Sequence, residues 1–224
     1  MRLLVRSVVL GSFLFSASQA FSLEPAFQIQ QGVLSHKSMT TKDKPKVGAT
    51  TTDKSTEMAT MGNSLRISAT TENMAFYVYP TDSSVPFGVG YYVMPELEVG
   101  LNISLNSTDN DNEDNTTDSD STTNSYGPYL KYYLNNLGPA NVELDFGINM
   151  GTEKASTNSV DTSDATSMEI FFAATAFMPI AKNLHYGVGL GYSTTTTEKK
   201  ITGAESDVTE TSLNLNLATL RFNF

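Results

Sequence analysis

The chain of 224 residues has no cysteine and no tryptophan, and it has only two histidines. The absence of cysteine excludes disulfide bonds and attachment of a lipid through an N-terminal cysteine. After residue 20, the sequence also lacks an apolar stretch of the roughly 20 residues that a membrane-spanning helix needs. Basic residues are few, with 14 Lys and Arg against 24 Asp and Glu. This acidic balance argues against nucleic-acid binding, which requires basic stripes on the protein.

The first twenty residues have the pattern of a secretory signal peptide. Arg2 and Arg6 precede an apolar run that ends near Phe15, and the small residues Ser18 and Ala20 suit a cleavage site. The run is too short to span a bilayer, so we expect residues 1–20 to be removed, with an uncleaved anchor as the alternative. Removal leaves 224 − 20 = 204 residues, 14 − 2 = 12 basic residues and a net charge of 12 − 24 = −12.

Apolar residues recur at every second position in several later segments. In ELEVGLNISLN, Leu97, Val99 and Leu101 share one face, whereas Glu98 and Gly100 lie on the other. This period of two predicts β-strands with one apolar face. The same pattern recurs in VPFGVGYYVM, YGPYLKYYL, VELDFGINM, MEIFFAATAFM, LHYGVGLGY and SLNLNLATLRFNF. Each run before the C-terminal one has about nine to eleven residues, the length of a tilted strand that crosses a bilayer.

A tight hairpin joins the first two of these strands. Only three residues separate the apolar runs of VPFGVGYYVM and ELEVGLNISLN. A turn centred on Pro95 pairs Val93 with Leu97 and Val89 with Leu101. These pairs match in character, as neighbours on one face of a hairpin should.

Short and long connections alternate along the chain. The short turns lie near residues 94–96, 135–139 and 179–183. The long links, rich in Thr, Ser, Asn and Asp, lie at 107–124, 152–166 and 195–210. A secreted β-sandwich has no reason to place its long loops at one end, whereas bacterial outer-membrane barrels have short periplasmic turns and longer external loops. We therefore predict that residues 21–224 form an all-β, transmembrane, antiparallel up-and-down barrel.

The number of strands depends on the region before residue 80. A tight turn at Thr71 to Asn73 gives ten strands, with residues 38–56 as an external loop. A single strand over residues 64–80 gives eight, and residues 21–63 then form a loose N-terminal segment. Both totals are even, as in bacterial single-chain barrels, and ten is favoured because it keeps the alternation of short and long links.

The C-terminal strand changes its alternation once. Leu213, Leu215 and Leu217 share one parity, whereas Phe222 and Phe224 have the other. A bulge or frame change between Leu217 and Leu220 would bring both sets to the lipid face, and pairing with the first strand would close the barrel. Phe222 and the terminal Phe224 resemble the signal that outer-membrane barrels present to their assembly machinery.

Charged residues occupy the face opposite the apolar one. The residues predicted to point into the lumen are Glu98, Lys131, Glu143, Asp145, Glu169 and Arg221. A turn centred on Leu137 places Lys131 directly across from Glu143. The group is interpreted either as a constriction that selects solutes or as a salt-bridge network that fills a narrow barrel, and the second is favoured because small barrels are filled by side chains.

The segment STDNDNEDNTTDSDSTTNS contains six acidic residues and no basic one. Asp109, Asp111 and Glu113 have the spacing that begins a calcium loop, but Asp114 occupies the position where such a loop needs glycine. A solvated external loop is favoured over a dedicated calcium site. Loose binding of divalent cations at these residues, near anionic lipopolysaccharide, is the alternative.

Catalytic patterns are scarce in the sequence. His185 is predicted near a periplasmic turn, and His36 has no serine or carboxylate partner at a fixed spacing. We expect the protein not to be an enzyme and to have no catalytic residues, cofactor or dedicated metal.

Several segments resemble known barrel proteins. FGVGYYVMPELEVGLNISL is similar to the hairpins of small outer-membrane β-barrel proteins, and FYVYP, PIAKNLHYGVGLGYS and LNLATLRFNF resemble porin-like major outer-membrane proteins of Bdellovibrio-type bacteria. The likeness covers about residues 73–224 and implies a Gram-negative envelope protein, either structural or porin-like. The alternative is a surface binding or adhesion module that acts through its acidic external loops. The expected partners are outer-membrane lipid, lipopolysaccharide and, through the C-terminal strand, the assembly machinery; no oligomeric state is indicated.

Overall fold

A computed structural model of the protein describes residues 26–46, 48–60, 65–80, 85–110, 119–137, 139–157, 160–201 and 204–224. The predicted signal peptide lies outside these residues. Within them, every regular element is a β-strand. The described part of the chain contains no helix that is long and apolar enough to cross a membrane.

Eleven strands form one antiparallel sheet, which closes because the last strand pairs with the first. The strands are β1 Ala26–Pro45, β2 Thr51–Thr60, β3 Leu65–Thr70, β4 Met74–Val78, β5 Phe87–Met94, β6 Leu97–Asn110, β7 Ser119–Leu137, β8 Ala140–Thr157, β9 Val160–Ala181, β10 Leu184–Ile201 and β11 Ala204–Asn223. β1 pairs with both β2 and β3, which do not pair with each other, and the other strands pair with their neighbours in sequence. The protein is therefore an up-and-down barrel, as predicted.

The strands β2 and β3 share one position in the barrel wall. The first part of β1 pairs with β3, and its later part, from Leu34 to Asp43, pairs with β2. The barrel therefore has ten strand positions, which confirms the favoured count. The prediction that residues 38–56 form a loop was wrong, because β1 and β2 continue to a turn that contains Gly48 at a φ of 128°. Threonine suits paired strands even where both faces are polar.

The other predicted long links are also largely strand. Their positions pair across the hairpins, for example Ser107 with Thr122, Thr152 with Thr166, and Thr196 with Thr209. The strand β9 reaches 22 residues, about twice the length expected from the apolar runs alone. The apolar runs thus mark only the membrane-facing part of each strand. We call the end with the long hairpins the outer end and the end with the short turns the inner end.

The hairpin of β5 and β6 follows the predicted register over most of its length. Val89 pairs with Leu101, as expected. Leu97 pairs with Met94 rather than Val93, because the register shifts by one residue after Tyr92. This bulge absorbs one residue beside the turn and leaves the rest of the face unchanged.

A belt of large apolar side chains covers the outside of the barrel. Leu101, for example, is 42% exposed. A continuous exposed apolar surface of this kind is unfavourable in water and rare on soluble proteins. Other exposed members of the belt are Tyr91, Val99, Phe146, Ile170, Phe172, Leu190 and Leu215. The residues between them in sequence face the lumen, where polar side chains are buried. The apolar face therefore suits lipid, as in other transmembrane barrels.

The predicted bulge in the last strand is confirmed. On the β10 side, Gly187 pairs with Thr219 but Gly189 pairs with Asn216. The pairing of β11 with β1 also shifts beside Ala218. The chain thereby gains the residue that returns Phe222 to the outside, where it is 40% exposed.

Candidate functional site

A buried carboxylate lies near the middle of the lumen. Glu98 has no exposed surface, and its oxygens accept hydrogen bonds from the hydroxyl groups of Tyr77 at 2.6 Å, Tyr129 at 2.5 Å and Tyr133 at 2.7 Å. Glu98 is on β6. Tyr129 and Tyr133 come from the adjacent strand β7, and Tyr77 comes from β4, which lies beyond β5 on the other side. Three short bonds to a charged acceptor replace the water that burial removes.

Two glycines make room for this arrangement. Gly90 on β5 and Gly100 on β6 are directly opposite each other. A Cβ atom added to Gly90 would overlap the carboxylate of Glu98, and one added to Gly100 would overlap the ring of Tyr129. The close approach of carboxylate and ring to the barrel wall therefore requires glycine at both positions.

A second buried carboxylate joins two arginines. Glu143 Oε1 lies 2.7 Å from Arg221 Nη1, and its Oε2 lies 3.4 Å from Arg66 Nη2. Each guanidinium also donates to an amide on β1, Arg221 to Gln30 at 3.1 Å and Arg66 to Gln28 at 3.2 Å. These contacts connect β3, β8 and β11 across the lumen.

The predicted pair of Lys131 with Glu143 was wrong. Lys131 lies opposite Asp145, with 3.5 Å between Nζ and Oδ1, and Tyr133 lies opposite Glu143. Because the register shifts between Leu134 and the turn, the hairpin is centred one residue later than expected, which moves every partner by two residues. The inward direction of Lys131 was correct, and its side chain is almost fully buried.

Aromatic rings surround the cations of this group. The Lys131 ammonium lies 4.2 Å from the centroid of the Tyr77 ring, and the Arg66 guanidinium lies 5.5 Å from the same ring. The guanidinium of Arg221 lies 3.2 Å from the centroid of Phe177, which is buried. Rings at these distances stabilise buried cations in place of water.

We call this group of three cations and three carboxylates the lumen network. Its members are Arg66, Lys131, Arg221, Glu98, Glu143 and Asp145. The sequence pattern identified five of them but missed Arg66, although Arg66 stands between Leu65 and Ile67 in an alternating segment. The tyrosines that bind Glu98 gave no clear signal, because tyrosine occurs on both faces of the barrel. Glu169 also faces the lumen, but it binds Asn149 instead.

Two cavities lie in the lumen near the network. The outer cavity has a volume of about 520 Å³ and reaches Arg66, Lys131, Asp145 and Glu169. The inner cavity has about 360 Å³ and reaches Arg66, Tyr77, Glu143 and the C-terminal Phe224. Network residues line both spaces, so the network lies between the two ends of the barrel.

The remaining predicted site residues lie away from the network. Asp109 is in β6, whereas Asp111 and Glu113 fall outside the described residues, so loose cation binding there stays a prediction. In the part of the chain that the structure describes, no three acidic or histidine side chains are grouped as a metal site would need. His185 Nδ1 lies 3.3 Å from Asn223 Nδ2, and the backbone of His36 pairs with Leu215.

Residues 9–222 match the family of the outer membrane protein beta-barrel domain, and the chain belongs to this family. It is therefore an outer-membrane β-barrel protein of the Gram-negative envelope. No curated protein matches the sequence.

Several solved barrel structures are similar to this chain at low identity. Neisserial surface protein A is 14% identical, with a TM-score of 0.36, over 90% of this chain and 100% of that one. Ail, the attachment invasion locus protein of Yersinia pestis, is 10% identical, with a TM-score of 0.34, over 89% and 100%. The translocator domain of the autotransporter NalP from Neisseria meningitidis is 7% identical, with a TM-score of 0.41, over 96% and 97%.

Proposed function

We propose that the protein is a closed structural barrel that supports the outer membrane and holds its long hairpins outside, rather than an open porin. The observation that carries this proposal is the lumen network. Glu98 has no exposed surface, and Lys131 and Arg221 are 3% and 6% exposed. In an open aqueous pore of the same width, these charges would be hydrated.

The energetics of the network favour a closed state. Each charge has its partners within the protein, so an ion that passes through has to displace contacts such as the 2.7 Å pair of Arg221 and Glu143. Separating a buried charge from its partner costs about 3–5 kcal/mol. Barrels of about eight strands have an interior just wide enough for side chains to fill, and in this ten-strand barrel the lumen network occupies the space between the two cavities.

Planar-bilayer recording of the refolded mature protein tests the proposal. We expect no discrete conductance steps from the wild type across a wide voltage range. The variant Arg66→Ala/Tyr77→Ala should conduct, because Arg66 lines both cavities and Tyr77 contacts Lys131 between them. Leu130→Ala, on the outer face, is the matched control and should stay silent. Reproducible steps from the wild type would refute the closed barrel.

The proposal includes several expectations from the sequence. Export through a cleaved signal peptide, the absence of enzymatic activity and contact with lipopolysaccharide belong to it. So does recognition by the assembly machinery, which is supported by the exposure of Phe222 and of Phe224 at the inner end. The narrower resemblance to porin-like proteins of Bdellovibrio-type bacteria stays a prediction.

A surface-binding role is the second candidate. It is favoured by the length of the outer hairpins, since β6 and β7 stay paired as far as Asn110 and Ser119. Such paired strands extend beyond the apolar runs, up to the two ends of the acidic segment.

A further inference from the structure

The outer cavity has the size and access of a ligand site. Its volume of about 520 Å³ lies within the range of roughly 300–1,000 Å³ that small-molecule sites occupy. The cavity reaches Phe87, where β5 begins opposite Ile103, while β6 continues to Asn110. Among the described strands, the barrel wall is therefore lower beside the cavity than around β6 to β11, and the cavity lies on the outer side of the network.

One carboxylate of this cavity lacks a counter-charge. Arg66 and Lys131 line the cavity, but they form ion pairs with Glu143 and Asp145. Glu169 accepts a hydrogen bond from the neutral Asn149 at 2.8 Å. Among the side chains that the structure describes, no lysine or arginine forms an ion pair with it. The unmatched charge of the cavity is therefore negative.

Aromatic side chains stand beside this carboxylate. Phe171 lies two residues after Glu169 on β9 and so points to the same face. Tyr79 and Tyr129 line the same cavity. A Cβ on Gly147 would overlap the Phe171 ring, so this glycine lets the ring lie against the barrel wall. A carboxylate beside aromatic faces is the combination that binds organic ammonium groups.

The wall around Glu169 adds further negative charge. Residues directly opposite one another in a sheet share a face, so the lumen-facing row that contains Glu169 can be followed from strand to strand. This row is formed by Asp53, Thr41, Glu210, Thr195, Glu169 and Asn149. It contains three carboxylates and no cation. Such a wall raises the local concentration of cations at the entrance.

We propose that the outer cavity binds a small organic cation. The ammonium group lies against Glu169, and an apolar or aromatic body packs against Phe171 and Tyr129. The site borders the closed lumen network on its outer side, where Arg66, Lys131 and Asp145 line the cavity, and it adds a ligand to a barrel whose proposed role is structural.

Isothermal titration of the refolded mature protein with benzyltrimethylammonium tests this site. We expect saturable binding, whereas phenylacetate and benzyl alcohol, titrated in the same detergent, should give only the heat of partition into micelles. Glu169→Gln should weaken binding about tenfold, because hydrogen bonds and contacts to a charged group are worth more than those to a neutral one. Phe171→Leu should weaken it about fivefold through loss of the aromatic face. Glu198→Gln removes a carboxylate that is exposed outside the cavity and should stay within about twofold of the wild type.

Unheated gel mobility shows whether each variant is folded, so that a loss of binding is not confused with a loss of structure. The proposal is overturned if folded wild type shows no saturable binding, if Glu169→Gln binds as tightly as the wild type, or if phenylacetate binds equally well. Conductance of the wild type would refute the closed barrel alone, because the dependence of binding on Glu169 does not require a closed lumen.

Discussion

Replacing Glu143 with glutamine removes the carboxylate that two arginines share. Arg221 and Arg66 lie 2.7 Å and 3.4 Å from its oxygens, and the side chains of Arg66, Glu143 and Arg221 are only 12%, 9% and 7% exposed. Water can therefore do little to replace the lost charge. Breaking a buried pair by removing one partner costs about 3–5 kcal/mol, so we expect Glu143→Gln to lower the free energy of unfolding by about that amount.

The loss of Arg221 should be less severe. In Arg221→Met, Glu143 keeps Arg66 as a counter-charge, so we expect a loss of about 1–3 kcal/mol. The double variant Glu143→Gln/Arg221→Met leaves Arg66 with its hydrogen bond to Gln28 and without a second guanidinium beside it. The free energy of unfolding lost in the double variant should be smaller than the sum of the two single losses by at least about 1 kcal/mol, because substitutions within one network are usually not additive.

Urea titration of the protein refolded into lipid vesicles measures these differences. The folded fraction is read from gel mobility without heating, and the free energy is obtained by linear extrapolation. Glu198→Gln, on an exposed part of β10, makes the same chemical change without a buried partner and should be near neutral. A loss below about 1 kcal/mol for Glu143→Gln, or effects that add within about 0.5 kcal/mol, would refute the reasoning.

Two further predictions concern the lipid face and the topology. Leu101→Arg should lower the free energy of unfolding by about 2–4 kcal/mol in the same titration, as charges near the bilayer midplane do. Asn102→Arg, which points into the outer cavity, should lower it much less. Equal losses for the two variants would contradict the assignment of faces. Because the chain has no cysteine, single variants can be labelled cleanly with a membrane-impermeant maleimide. Intact cells should label Lys200→Cys, on an outer hairpin, and not Lys182→Cys, at an inner turn; the reverse pattern would invert the barrel.

The alternation of residue types predicted which side chains face outward, because each strand has a period of two. Leu101 and Ile170 follow directly from that pattern. Partners across a hairpin depend instead on where its turn is centred. A shift of the centre by one residue moves each partner by two and leaves its face unchanged. Lys131 was therefore placed correctly in the lumen but assigned to Glu143 instead of Asp145.

The outer hairpins and the tyrosines were harder to predict for different reasons. Beyond the membrane, both faces of a strand meet water, so segments such as Thr194 to Thr197 lose the alternation and have the composition of a loop. They form strands because their backbones pair across the hairpin and threonine favours extended structure. Tyrosine suits both the lipid interface and a buried polar contact, so the sequence alone did not separate the exposed Tyr91 from the buried Tyr77.

The lumen network also ties together the two strands that close the barrel. Arg221 lies in the last strand and binds both Gln30 on the first strand and Glu143 on β8. At the same seam, Gln28 donates to Asn223 at 2.9 Å. The ion pair with Glu143 holds Arg221 in the lumen, in position to bind Gln30 when β11 pairs with β1. Because one side chain makes both contacts, closing the wall and filling the lumen stabilise each other. The outward face of this last strand presents Phe222, and the exposed Phe224 follows the strand at the inner end. These two residues are the predicted assembly signal, while the inward face of the strand completes the network. One short segment therefore contributes both to the seam that closes the barrel and to the network that fills its interior.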